Sequence, residues 1–174
     1  ASELAAVLVM SAVRNNDRVG ALLFTDRVEH VVPPRKGRRH ALRLIRDLLA
    51  FEPQGRGTDI AGASDYMLKM LAHHAIIFLV SDFHAEGIER PLKLLAQRHD
   101  LVAVTVEDPS EVELPDIGPA RFVDPESGAT LDVDTSDPVV RSRYSSAVNE
   151  ERDARRRLLR RLAVDEVPVR TDAG

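Results

Sequence analysis

Three short runs constrain this chain more than any other feature: residues 19–24, 75–80 and 101–106 are apolar almost without interruption. A strand with one face in water alternates apolar and polar side chains. A strand without that alternation reads as covered on both faces, as in a parallel sheet. Between the runs the period changes. Residues 38–51 place Ala41, Leu42, Ile45, Leu48 and Leu49 on one face and Arg39, Arg43, Arg46 and Asp47 on the other, the 3.6-residue signature of a helix. Further helices are expected at 59–72 and 88–98. Residues 3–15 form an opening helix that is apolar on nearly every face, through Leu4, Val7, Leu8, Val9, Met10, Ala12 and Val13. Such a helix is expected to be buried on more than one side. Buried strands alternating with amphipathic helices specify a doubly wound, mostly parallel α/β sheet of the Rossmann-like kind.

Two departures from strict alternation are expected. Residues 28–32 follow the first apolar run closely and read as the second arm of an antiparallel edge hairpin. This arm ends at Pro33-Pro34, which lack the N–H groups a ladder needs. Later, residues 120–123 and 130–133 flank Asp124-Pro125-Glu126-Ser127-Gly128 and read as a hairpin inserted near 119–134. A long helix follows at 137–163, with Val140, Tyr144, Ala147, Ala154, Leu158 and Leu162 along its stripe, and a short strand at 166–170 returns to the sheet. No linker divides the chain, so residues 1–174 are expected to form one domain.

Composition closes several routes. The chain has no cysteine, which excludes disulfides and thiolate metal sites. Any metal must be held by oxygen or imidazole. The formal net charge of −4 and the scarcity of aromatic residues argue against nucleic-acid binding. No apolar stretch is long enough to span a bilayer and no signal peptide opens the chain, so a soluble, cytoplasmic protein is expected.

In open α/β sheets, ligands bind beyond the carboxyl ends of the strands. Thr58, in Gly55-Arg56-Gly57-Thr58-Asp59, and Asp82, directly after the most apolar run, fall on such loops. A hydroxyl and a carboxylate suit a hard cation such as magnesium. Each residue also has a plain structural reading: Thr58 or Asp59 caps the following helix, and Asp82 closes a local turn.

The order of several short motifs adds to this. Asn15-Asn16-Asp17-Arg18-Val19-Gly20 leading into Leu22-Leu23-Phe24-Thr25-Asp26, then Val32-Pro33-Pro34-Arg35-Lys36-Gly37-Arg38-Arg39-His40, Gly57-Thr58-Asp59 and Leu79-Val80-Ser81-Asp82-Phe83 follow one another. Arg98-His99-Asp100, Glu107-Asp108-Pro109 and the Asp124–Gly128 turn continue the series. In this order they resemble the bacterial domain-of-unknown-function family fifty-eight, a von Willebrand factor A-like domain associated with MoxR-type AAA+ ATPases. The resemblance covers essentially the whole chain. It implies a non-enzymatic protein-interaction module with a metal-ion-dependent adhesion site, working in chaperone-like assembly. It assigns Thr58 and Asp82 as metal ligands, with Mg²⁺ or another divalent cation leaving one position open for a partner's carboxylate. The implied partners are the AAA+ ATPase and an acidic client.

The resemblance fails at one place. Its Asp-x-Ser-x-Ser loop, which follows the first central strand, does not occur in this sequence. The chain begins about where the helix after that loop begins. The first central strand is therefore expected to be missing between the strands at 19–24 and 75–80, the domain to be incomplete at its amino terminus, and this shortened chain not necessarily to hold the metal alone. The chain also stops soon after Thr171-Asp172, where a further helical segment is expected. A homo-oligomer formed through the unpaired sheet region is a further expectation.

Other signals carry less. The basic loop 33–40 and the arginines Arg152, Arg155, Arg156, Arg157, Arg160 and Arg161 read as solvated faces, the latter paired with Glu150, Glu151 and Asp153. His73-His74 lacks the i, i+4 spacing of a helical zinc site. Asp26 and Asp82 both follow apolar strands, so the alternative function is a magnesium-dependent phosphotransfer or hydrolase domain built on these two carboxylates. No phosphate-cradling glycine fingerprint accompanies them.

Overall fold

The computed structural model describes residues 2–85, 87–107, 114–123 and 129–170. The motif residues Asp108-Pro109, the turn 124–128 and Thr171-Asp172 lie outside the described residues. The elements follow in the order α1 (Ser2–Arg14), β1 (Val19–Phe24), β2 (Val28–Arg35), α2 (Arg38–Leu49), α3 (Ile60–Met70), β3 (Ile76–Ser81), α4 (Glu89–Arg98), β4 (Asp100–Glu107), β5 (Pro119–Val123), β6 (Thr130–Asp134), α5 (Pro138–Arg161) and β7 (Asp165–Arg170). The order agrees with the sequence reading. The chain is a mixed α/β protein with two compact units, residues 1–73 with 85–91, and residues 74–84 with 92–174.

The first unit is an antiparallel β1–β2 hairpin with α1, α2 and α3. Its core gathers Val9 of α1, Val32 of β2, and Ala41 and Leu44 of α2, with Val13, Val19, Ala21, Ile45 and Leu48 packed around them. Three expectations change here. α1 is not buried on several sides: Val9 is inside, but Val7 is 66% exposed. The inward face of α2 is centred on Ala41 and Leu44, while Leu42 and Leu49 face solvent. The two prolines do not end β2. Val19 pairs with Arg35 but Ala21 pairs with Val32, so β2 carries one extra residue opposite Gly20. This bulge takes Pro33-Pro34 out of the regular ladder. Gly20 permits it, because a Cβ there would lie 2.5 Å from the Val32 carbonyl oxygen and 2.8 Å from the Pro34 nitrogen.

The second unit holds the parallel sheet, in the order β3-β4-β7. The β5–β6 hairpin forms between β4 and α5, as expected, and its Phe122–Leu131 pair is mostly exposed. The expected single sheet is divided: among the described residues, β1–β2, β3-β4-β7 and β5–β6 are three separate sheets. Double coverage holds along β4, where Ala103, Val104 and Thr105 are all buried, but needs correction at β3. Along β3, Ile77 and Leu79 are buried, whereas Ile76 is 63% and Phe78 42% exposed. The register explains which faces these are. Ile77, Leu79, Leu101, Ala103 and Thr105 share one side of the sheet and are all buried. The crossovers β3–α4–β4 and β4–α5–β7 run in the same direction, and right-handed crossovers then lie on one face. The opposite face leaves Ile76, Phe78 and Val167 exposed around a buried Val104.

Candidate functional site

Thr58 belongs to the first unit and Asp82 to the second, so each is described in its own surroundings.

The segment carrying Thr58 is fastened to the β1–β2 turn at both ends. The pairing of Leu23 with His30 and of Phe24 with Val28 leaves Glu29 as a second bulge residue. The Glu29 carboxylate accepts the Gly55 N–H at 2.6 Å and the Gln54 N–H at 3.0 and 3.2 Å. It also accepts the Thr25 hydroxyl at 2.7 Å. The Gln54 N–H most of all, then the Thr25 hydroxyl and the Gly55 N–H, hold Glu29 below the usual carboxylate range, since each bond favours the ionised form. At the other end, the Asp59 N–H donates to the Thr25 carbonyl at 2.7 Å. Gly55 lies so close to this turn that a Cβ would meet the Asp26 carboxylate and the Thr25 hydroxyl. Gly57, at φ +88, turns the chain where a side chain would be strained. Half-buried Thr58 follows. Asp59, not Thr58, is the N-cap of α3, its carboxylate accepting the Gly62 N–H at 2.8 Å. The capping alternative thus falls to Asp59.

Asp82 leaves the carboxyl end of β3 with its side chain exposed. Its Oδ1 accepts the His84 N–H at 3.1 Å and the Ser81 hydroxyl at 3.3 Å. That is the local turn given as its plain reading. Among the described residues Oδ2 accepts no hydrogen bond. The next residue, Phe83, is buried at φ +62. A bulky side chain in left-handed backbone is strained, and the Ser81 hydroxyl, accepting the Phe83 N–H at 3.0 Å, helps hold it.

Behind this turn stands a group that the sequence reading assigned to a solvated face. Arg155 of α5 is 9% exposed. It donates to the Asp82 carbonyl at 3.3 Å, to Glu107 at 2.7 Å and to Glu166 at 3.4 Å. Arg152 reaches the other oxygen of Glu107 at 3.2 Å. These two arginines thus pair across to β4 and β7; of the expected pairings within the helix, Arg156 keeps one with Asp153, at 4.0 Å. The inward stripe of α5 includes Arg152, Arg155 and Leu159, while Ala147 and Ala154 are exposed. The signal missed was charge spacing: Arg152, Arg155 and Leu159 recur at helical intervals, but a hydrophobic count passes over the arginines.

The donor chemistry at Thr58 and Asp82 is hard oxygen, which suits magnesium. Among the described residues, no cluster of three acidic or histidine side chains could hold a metal ion. Asp26, the other carboxylate of the hydrolase alternative, lies 3.1 Å from the Thr25 hydroxyl, whose proton the shorter Glu29 bond takes, and 3.6 Å from Arg27.

A family model described as "Protein of unknown function DUF58" matches residues 1–154. The chain belongs to the DUF58 family. Relatives of this DUF58 chain include the uncharacterized protein Rv1480 of Mycobacterium tuberculosis, 31% identical over 159 residues, covering 90% of this chain and 50% of the relative. The uncharacterized protein MAV169 of Mycobacterium avium is 33% identical over 144 residues, covering 81% of this chain and 85% of its own length. The DUF58 chain therefore spans about half the length of the first of these. Two solved structures share its fold. The conserved hypothetical protein BatB of Bacteroides thetaiotaomicron has a TM-score of 0.55 at 15% identity, over 97% of this chain and 80% of the other. An aerotolerance-related membrane protein of Bacteroides fragilis gives 0.56 at 16%, over 99% and 81%. Among the described residues of the DUF58 chain, no helix is long and apolar enough to cross a membrane.

Proposed function

We propose that this DUF58 chain is a non-enzymatic protein-interaction module of von Willebrand factor A type. A divalent cation, for which the motif resemblance assigns the Thr58 hydroxyl and the Asp82 carboxylate as ligands, gives it affinity for an acidic side chain of a partner. The observation that carries this reading is the setting of Asp82. It sits at the carboxyl end of a parallel strand, where open α/β sheets bind ligands. It is exposed, and Oδ2 is left without a hydrogen bond among the described residues. A cation there would supply what an incompletely coordinated metal supplies: attraction for a carboxylate. The chain's own contribution is to aim Asp82 outward through the Ser81 and His84 bonds. The resemblance seen in the motif order supports a MoxR-type AAA+ ATPase as the working partner, in chaperone-like assembly.

Calorimetric titration of the natural full-length protein with magnesium tests this. The expected result is saturable binding that Asp82→Ala abolishes and Thr58→Ala weakens, with no turnover of a generic phosphoester. Absence of binding in the wild-type protein would remove the metal, and the two loops would then be a turn and a pre-helical segment only. Magnesium-dependent phosphoester turnover that Asp82→Asn destroys would establish the hydrolase alternative instead.

A further inference from the structure

Glu29 stands outside every motif that the sequence singles out, yet its carboxylate accepts from three different groups. One carboxylate takes two consecutive backbone N–H groups, of Gln54 and Gly55, and the Thr25 hydroxyl. Four residues later in the loop, the Asp59 N–H closes on the Thr25 carbonyl. Thr58 lies on the span between these two attachments. A carboxylate suits this geometry: Oε1 accepts from Gly55, Thr25 and, at 3.2 Å, Gln54, while Oε2 accepts the same Gln54 N–H at 3.0 Å. An amide in its place would point an NH₂ donor at one of the N–H groups it has to receive. The clamp is also shape-specific, since Gly55 leaves no room for a Cβ against Thr25 and Asp26.

We propose that Glu29 is the positioning residue for Thr58: it touches neither metal nor partner, and acts by fixing the 54–59 loop so that the Thr58 hydroxyl is presented in one orientation. The proposal rests on the metal-site reading above and deepens it. Partners that orient ligands from behind typically change metal affinity by about 10- to 100-fold when removed. The bulge explains how a strand residue comes to serve a loop. It turns Glu29 out of the β1–β2 ladder, toward a segment some twenty-five positions away in sequence.

The test is a double-mutant cycle in the natural full-length protein, with magnesium affinity as the readout. Glu29→Gln is expected to weaken magnesium binding by about tenfold, the lower end of that range. In a Thr58→Ala background the same change is expected to add almost nothing, because the residue through which Glu29 acts is already gone. A general loss of folding stability would instead weaken both backgrounds alike. Amide exchange supplies a second readout that needs no metal. Glu29→Gln should accelerate exchange at Gln54 and Gly55 by about tenfold, the worth of one net hydrogen bond, and should move the Thr58 methyl resonance. Fully additive effects, or faster exchange with an unmoved Thr58 signal, would overturn the proposal. If the wild-type protein binds no magnesium, the functional reading fails. The positioning claim is then decided by the Thr58 resonance alone: it stands if Glu29→Gln shifts it and falls if it does not.

Discussion

Single atoms decide much in the first unit. At Gly20, the obstacle to a side chain is backbone, the Val32 carbonyl and the Pro34 nitrogen, which cannot swing aside as a rotamer can. Gly20→Ala is therefore expected to destabilise by about 2 kcal/mol, in the range of overpacking against a fixed neighbour, measured by urea denaturation. At His99 the obstacle is solvation. The ring is 5% exposed and, among the described residues, neither nitrogen has a hydrogen-bond partner. Burial first, then the nearby His74 and Arg98 charges, hold it below the ordinary 6.5. The folded state resists protonation that the unfolded chain accepts at that ordinary value. Stability is thus intact above pH 6.5 and falls as the pH drops through it. Denaturation midpoints between pH 7.5 and 5 should show this decline, and His99→Leu should flatten it. An unchanged profile in the variant would place the sensitivity elsewhere. Glu29 works with the same sign at lower pH: its contribution is present above 4.5 and fades as acid protonates it.

Among elements, β3 is the most instructive. A strand covered on both faces would suffer equally from loss of either set of side chains. With alternating burial, Leu79→Ala should cost about 2–4 kcal/mol as a core truncation, and Ile76→Thr less than about 0.5 kcal/mol as a surface change. Equal costs would mean that the sheet is covered on both sides in solution. At α3, Asp59→Ala should cost about 1 kcal/mol by loss of its cap, read in the same denaturation experiment. These elements also mark what could be read from sequence. Apolar runs and helical periods located every strand and helix to within about three residues, the boundary error such patterns carry. Which apolar residues are inside was harder. The stripe on α2 is wide enough to rotate, so Leu42 and Leu44 exchange places relative to expectation. The span of β2 was misjudged because a bulge, invisible as a pattern, carries the strand past Pro33-Pro34. The place of Asp82 after a strand is legible because strand ends are predictable, whereas Thr58 lies between α2 and α3; the contacts of Glu29 and Arg155 are not legible, because their partners lie far away in sequence.

At the scale of the molecule, Arg155 gathers the parallel sheet, the last helix and the Asp82 turn of the second unit into one ionic junction. Removing it strands Glu166, 17% exposed, and leaves Glu107, 13% exposed, with Arg152 alone. Arg155→Ala should then cost about 2 kcal/mol, less than the loss of a fully buried pair because these carboxylates keep some water. Arg155→Lys should recover only part of it, since a lysine cannot fork across two carboxylates and a carbonyl. Thermal unfolding of the three proteins side by side measures both.

The two compact units are not consecutive lengths of chain: the first takes residues 1–73 and returns for 85–91, after the second has already begun at residue 74. No single cut, by a protease or by a stop codon, can therefore deliver either unit free of residues from the other. During synthesis, the strand that ends at Asp82 emerges before the first unit has received its last piece. The ribosome thus releases the start of the second unit while the first is still unfinished: the first can be completed once residue 91 has emerged, the second only after its final strand.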